Sequence, residues 1–410
     1  MPAVALSRAG ARVVESCPDG ENLAAAAWQR LEALPDPRSP QGRIYPLACL
    51  IAIAVCAFTA AGNDRLTAVG QWTRRASQED LARLRAPWDP VAGRYRAPDV
   101  KTIRVVLDKL DPRALTRALL GPRRRRRRHS PAGVRDYPAR CAAQEAKALA
   151  RGGLRAVAVD GKTSRGARRA DGTRVHLLGV AEHDGRLLDH LEVDVKHNET
   201  SHFTALLQPL DLDGAVVTFD ALHTVRANLD WLATEKKGHY IAVVKSNQPL
   251  LYARAKALPW RQVPAGSVTR GAGHGRIETR TLKTAHVKGL GFPGARQAMK
   301  ITRWRQDTAT GKTSRETVYA ITSLTSAHAT AQDLARLIRE HWSIEAHHHI
   351  RDVTFTEDTA TSRTGYGPVN LATIRAAIIA AIKDAGYLHV PEGRRDHTTP
   401  AEALCLHGLD

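Results

Sequence analysis

Sulfur, aromatic rings and negative charge are all scarce in this 410-residue chain, and each shortage excludes something. The five cysteines (Cys17, Cys49, Cys56, Cys141, Cys405) are scattered and odd in number. None stands in a CxxC or CxxH spacing, which argues against a disulfide framework and a zinc ribbon. Cys49 and Cys56 lie seven apart in an apolar stretch and read as buried thiols on one helix face. Long hydrophobic runs are also missing. Residues 46–62, the most apolar stretch, hold 16 uncharged residues after Pro46 and break at Gly62-Asn63, short of the roughly 20 a bilayer span needs. They read as a buried core helix. The opening MPAVALSRAG has no continuous apolar segment of the kind a secretory signal carries, so a cytoplasmic chain with no membrane association is expected.

What is present is a globular balance: 43% hydrophobic and 25% charged residues rule out a largely disordered or fibrous protein. The length suggests two or three domains. Against 41 acidic residues stand 61 Lys and Arg, a net charge of +20. A surplus of that size points to a polyanionic partner, of which nucleic acid is the commonest. Charge alone also fits a membrane-surface or ribosomal protein.

The first 120 residues read as helices. Ser77 with Asp80 forms a capping-box-like start, and Asp99 precedes an amphipathic pattern of Ile103, Val106, Leu107 and Leu110. At 121–150 the composition breaks, with six consecutive arginines, Arg123, Arg124, Arg125, Arg126, Arg127 and Arg128, that cannot all face a core. Self-repulsion should keep them extended until phosphates neutralise them, which makes an Arg-rich linker that contacts DNA. A solvated tether is the plainer alternative. From 151 strands appear: 156–159 ending on Asp160, 175–183 and 186–195 around the Asp184-Gly185 hairpin signal, 215–219 ending on Asp220, and 239–244. Residues 260–325 look β-rich, and a single long helix is predicted over 331–351, capped by Thr330. That order makes an α/β or α+β layered domain.

Asp160 and Asp220 each close an apolar strand. If the strands are parallel neighbours, the two carboxylates converge at one sheet edge, where open sheets bind ligands. Either one alone reads better as a turn residue. The predicted helix supplies a third carboxylate, since Glu345 falls on the inward stripe marked by Leu334, Leu337, Ile338, His341 and Trp342. Three converging carboxylates repel one another unless a divalent cation joins them, and hard oxygen ligands suit Mg²⁺ or Mn²⁺. Lys162, Lys245 and Asn247 follow strand ends and read as phosphate contacts. Consecutive helical residues point about 100° apart, so His347, His348 and His349 cannot share one ion and are expected to be solvated or to face DNA. His223 is a candidate for orienting a carboxylate or touching DNA. Trp260, Trp304 and Arg276 could hold an unpaired DNA end, with core packing expected for the tryptophans.

AVAVDGKTSRG (156–166), VVTFDALHT (216–224), YIAVVKSNQPLL (240–251) and IREHWSIEAHHHIRDVTFTED (338–358) together resemble the ISAs1 family of bacterial insertion-sequence transposases, within the DDE class related to the IS4 group. Residues 34–63 resemble that family's N-terminal transposase-associated domain. The resemblance implies an α/β, RNase H-like catalytic domain at 151–385 with a β-rich insertion at about 260–325. Before it come an all-α, DNA-binding domain at 1–120 and the linker; a tail follows at 386–410. It matches Asp160, Asp220 and Glu345 to the family's catalytic, metal-holding triad, with Mg²⁺ as cofactor (Mn²⁺ as substitute), two ions in all. It further implies cleavage at insertion-sequence ends and strand transfer into double-stranded target DNA by a homodimer. The IS4 signature's Arg and Lys are replaced here by His341 and Asp352, as in the ISAs1 branch. Ala346, His348 and Ile350 depart from that branch. A decayed or domesticated DNA-binding protein and a host nuclease of the same fold are the rivals.

Overall fold

A computed structural model describes residues 20–121, 154–193 and 199–409. The arginine run, Cys17 and Cys141 lie outside these residues. The helical N-terminal part comprises α1 (Gly20–Glu32), α2 (Leu47–Thr59), α3 (Leu66–Arg75), α4 (Gln78–Arg83), α5 (Val100–Lys109) and α6 (Pro112–Leu120), with a two-residue ladder between β1 (Trp88–Asp89) and β2 (Arg94–Tyr95). Its local signals act as the sequence suggests. Ser77 and Asp80 close a reciprocal capping box, Asp99 accepts from Lys101 N at 2.7 Å, and Ile103, Val106, Leu107 and Leu110 are fully buried. Every residue of α2 is buried, so the apolar stretch is a core helix. Among the described residues no helix is long and apolar enough to cross a membrane.

The second part is a nine-stranded sheet in the order β5-β4-β3-β6-β7-β11-β10-β9-β8. Its strands are β3 (Ala156–Arg168), β4 (Arg174–Glu182), β5 (Leu187–Glu192), β6 (Val216–Phe219), β7 (His239–Val244), β8 (Ser267–Gly273), β9 (Arg276–His286), β10 (Gln297–Asp307) and β11 (Thr313–Thr322). β3, β6 and β7 are parallel to one another; all other pairings are antiparallel. The β4–β5 hairpin turns at Asp184-Gly185, where Gly185 takes φ +84°, a conformation glycine adopts without steric cost.

Helices cover both faces. On one lie α7 (Glu199–Leu207), α8 (Arg226–Thr234) and α9 (Pro249–Ala257), whose Phe203, Leu229, Leu232 and Leu251 pack on Val157, Val159, Val217, Phe219 and Tyr240. On the other lie α10 (Ala331–Glu340) and α11 (Trp342–Thr354), followed by α12 (Gly367–Asp384). There Leu334 and Leu337 meet Val216, Ile241 and Met299. The single helix predicted for 331–351 is divided at His341, and Trp342, placed on the inward stripe by its spacing, is 51% exposed. The break re-phases the second helix, so a stripe extrapolated from α10 does not carry across it.

Residues 386–410, expected as a tail, form α13 (Val390–Asp396) and α14 (Pro400–His407). Val390, Ala403 and Leu404 enter the core built by α2, α5, α6 and α12. Arg394, buried in α13, donates to the carbonyls of Phe58, Thr59, Ala60 and Thr354 and pairs with Asp64 at 2.7 Å. One guanidinium thereby satisfies the open C-terminal ends of α2 and α11.

The β-rich segment extends the sheet rather than forming a separate layer. β7 pairs β11 only over Tyr319–Thr322, whereas β10 pairs β11 back to Thr313. Residues 313–318 and their partners therefore overhang the carboxyl end of β7 by about 20 Å.

Candidate active site

β3 and β6 lie side by side and parallel, with Val159 level with Phe219. Asp160 and Asp220 follow that pair, one on each strand, on adjoining strands about 4.8 Å apart. β3 does not end at Asp160, however. It runs on to Arg168 by pairing with β4 (Asp160 with Gly179, Thr163 with His176), so Asp160-Gly161 is not a turn. The continuation was hidden because its inward polar side chains, Lys162 and Ser164, find their partners some 190 residues away. What stops is β6, and Asp220 then caps a short 3-10 turn, its Oδ1 accepting from Leu222 N at 2.9 Å.

α11 crosses the same sheet face and presents Glu345 from its first turn. Partial desolvation raises the Glu345 pKa, and the Asp160 carboxylate raises it further. His341, at the break between α10 and α11, is held by Thr218 through Nδ1 at 3.0 Å. Burial lowers its pKa, while the charges of Asp160 and Asp220 act in the opposite sense. His348 Nδ1 stands 3.5 Å from Asp160 Oδ2. The carboxylates are open to solvent: Asp160 is 27% exposed, and Asp220 and Glu345 are exposed.

Among the described residues no three His, Cys, Asp or Glu side chains are gathered closely enough to form a ready-made metal cage. The donor set nevertheless fits a hard divalent ion of the kind that takes one or two carboxylates and completes its shell with water and phosphate oxygens. Repulsion at Glu345 is the strain such a cation relieves.

The remaining expected residues divide. Lys162 is 6% exposed, its ammonium 2.6 Å from Asp352 and 3.6 Å from Asp358, so it is occupied by carboxylates rather than open to a phosphate. Lys245 is exposed beyond β7. Asn247 Nδ2 donates to Ala221 O and Gln248 Nε2 to Thr224 O, so this loop braces the turn behind Asp220. His223 is buried and stacks on Phe203 at 5.5 Å, inside the core rather than facing DNA. Trp260 is buried with its indole donating to Ala255 O, whereas Trp304 is half-buried on the overhang. The triple histidine is not uniformly solvated: His347 is buried, His348 faces Asp160, and only His349 is exposed. The 100° step is what distributes them so.

Thr218, His183 and the role of His341 were not apparent from sequence. Nor was the buried ion cluster beneath α11, in which Glu357 accepts from Arg351 (2.6 and 2.9 Å), Arg375 (3.2 Å) and Ser164 (3.3 Å). A signal existed for the last: Arg375 interrupts an otherwise apolar helix and needs a buried carboxylate.

Residues 151–380 match the transposase DDE domain, and residues 28–121 match the DDE_Tnp_1-associated domain. The presumed transposase YncI of Escherichia coli O157:H7 is 26% identical over 243 residues, covering 56% of this chain and 62% of its own length. An uncharacterized protein from the dhlA 3′ region of Xanthobacter autotrophicus is 29% identical over 260 residues, covering 61% and 77%. This chain thus spans less than two thirds of YncI. A piggyBac transposase synaptic complex with hairpin DNA aligns at TM-score 0.38 and 11% identity over 91% of this chain and 83% of that one.

Proposed function

Because the chain belongs to the transposase DDE-domain family, we propose that it cuts phosphodiesters at the ends of an insertion sequence of the ISAs1 type and joins the resulting 3′-OH to target DNA. The observation that carries this reading is the pair Asp160 and Asp220 following adjoining parallel strands, with α11, which bears Glu345, packed against β3. The sheet itself, an antiparallel β5-β4-β3 unit joined to parallel β6 and β7 with helices on both faces, supports an RNase H-like assignment.

Asp160, Asp220 and Glu345 would hold Mg²⁺, or Mn²⁺ in its place. Bound there, such ions would supply the charge that activates an attacking oxygen and stabilises a leaving one in phosphoryl transfer. The residues of this chain do the positioning. Leu222 N fixes the Asp220 carboxylate, and the Glu357 cluster fixes α11 against β3. DNA would be held by the helical part (1–120), the arginine run (Arg123 to Arg128), Lys245 and the overhanging strands, while 151–385 carries the chemistry. On the overhang's face away from α10, Arg270 and Arg315 share one row of the register with Thr279 and Trp304, with no carboxylate in that row. A homodimer on DNA completes the proposal.

The test is a plasmid reaction with the element's terminal repeats, purified protein and Mg²⁺ or Mn²⁺. Joined target products support transposition. Cleavage without joining makes the protein a nuclease, and binding without either makes it a DNA-binding protein.

A further inference from the structure

Trp342 opens α11 with half its surface in solvent, and it has company. Ala346 and His349 are exposed, and Val353 is 64% exposed. At about 100° per residue, the spacings of four, three and four keep these side chains within an arc of roughly 60°. They form one stripe that contains no Asp, Glu, Lys or Arg. The residues α10 exposes, by contrast, are Gln332 and Arg339.

The stripe runs beside the candidate site. Going round the helix, Glu345 falls between the stripe and His348, whose Nδ1 is 3.5 Å from Asp160 Oδ2. Asp352, one turn on from His348, takes Lys162 of β3 at 2.6 Å. These two contacts fix which side of α11 meets β3, and they leave the stripe in solvent next to Glu345.

Side chains without charge add nothing to the hold on phosphates, which the +20 surplus supplies elsewhere. What Trp342 can offer DNA is a flat π-face, and a base can use one only after leaving its own stack. A second copy of the chain is a poorer occupant, because a stable protein interface takes about 20–30 residues a side and the stripe has four. We propose that an unpaired strand of the DNA end lies along Trp342, Ala346, His349 and Val353, with Trp342 the positioning residue that stacks on the base beside the phosphodiester at Glu345. This rests on the transposase reading above and adds to it a preference for opened over paired ends.

The probes are two duplexes of one sequence, one fully paired and one with its last few bases unpaired, each carrying 5-iodouracil near that end. Fluorescence anisotropy with the full-length protein gives the two affinities, and irradiation locates the base on the chain. Wild type should prefer the opened end and crosslink within 342–353. Trp342→Ala should lower that preference by about 5–150-fold, the contribution of one stacked base, and Trp342→Phe should restore most of it. Equal affinities in wild type, a preference that survives Trp342→Ala, or crosslinks confined to other segments overturns the proposal. So does loss of self-association in Trp342→Ala with the preference intact, which makes the stripe a protein interface. Cleavage by wild type but not by Asp160→Asn, alongside any of these results, keeps the transposase reading and removes only the stripe. Cleavage undiminished in Asp160→Asn removes the reading itself.

Discussion

Glu357→Gln removes one negative charge from beneath α11, and the surroundings of that charge set the size of the effect. Glu357 is 3% exposed and is the sole ion-pair partner, among the described residues, of both Arg351 and Arg375, whose side chains are 1% and 3% exposed. Gln keeps the volume but has one acceptor oxygen in place of two, the other becoming an NH₂ donor that faces guanidinium donors. It leaves two guanidinium ions in the interior without a counter-charge. Breaking a buried pair in this way costs about 3–5 kcal/mol, which for a chain of 410 residues corresponds to a fall in Tm of roughly 4–6 °C. The pH dependence has a definite sign. Burial works to raise the Glu357 pKa, but Arg351 and Arg375 overcome it and hold the carboxyl well below the usual range. A depressed folded-state pKa gives stability that is fully present above the unfolded pKa, about 4.3, and is lost as pH falls below it. Urea unfolding across pH should therefore show a constant gap between wild type and variant near neutrality that narrows below about pH 4.3. A gap under about 1 kcal/mol at neutral pH, or one that widens on acidification, would refute the reasoning.

Other perturbations separate structure from DNA contact. Lys162→Met should lower stability by about 1–3 kcal/mol, because Asp352 and Asp358 lose their shared cation. DNA affinity and its salt slope should not change, and a slope reduced by about 0.9 would mark Lys162 as a phosphate contact after all. Replacing Arg123 to Arg128 by Gln should weaken DNA binding and reduce the slope of log K against log salt by about 0.9 per lost contact, whereas an unchanged slope makes the run a tether. Burial pushes the Cys49 thiol up to about 12 and the Cys56 thiol up as well, so a thiol-reactive dye should label neither until the protein unfolds.

What could be read in the sequence was what short-range chemistry decides. Caps at Ser77, Asp99 and Thr330, the Asp184-Gly185 hairpin and the buried α2 all depend on neighbours within a few residues. What escaped depends on partners far along the chain. Lys162 and Ser164 looked like the end of a strand because their carboxylates come from residues 352–358. His341 looked like one more residue of a helical stripe, yet Thr218, 123 positions away, fixes its ring. The same distance effect hid the site's surroundings more than its carboxylates. Asp160 and Asp220 announce themselves by following apolar runs, while His348 beside Asp160 was masked by its place in a run of three identical residues. Arg394 tying α2 to α11 had no local pattern at all.

The measurement that bears most directly on the central claim is the strand-cleavage rate of Glu345→Gln, taken alongside its affinity for the same end DNA. Gln preserves the reach of the side chain but removes the charge that, with Asp160, would hold the cation, and an exposed helix position tolerates the change without unfolding. Binding should survive while cleavage and joining both fall by several orders of magnitude in Mg²⁺. A variant that binds and cuts at near the wild-type rate would make Glu345 a structural residue and contradict the assignment of the active site.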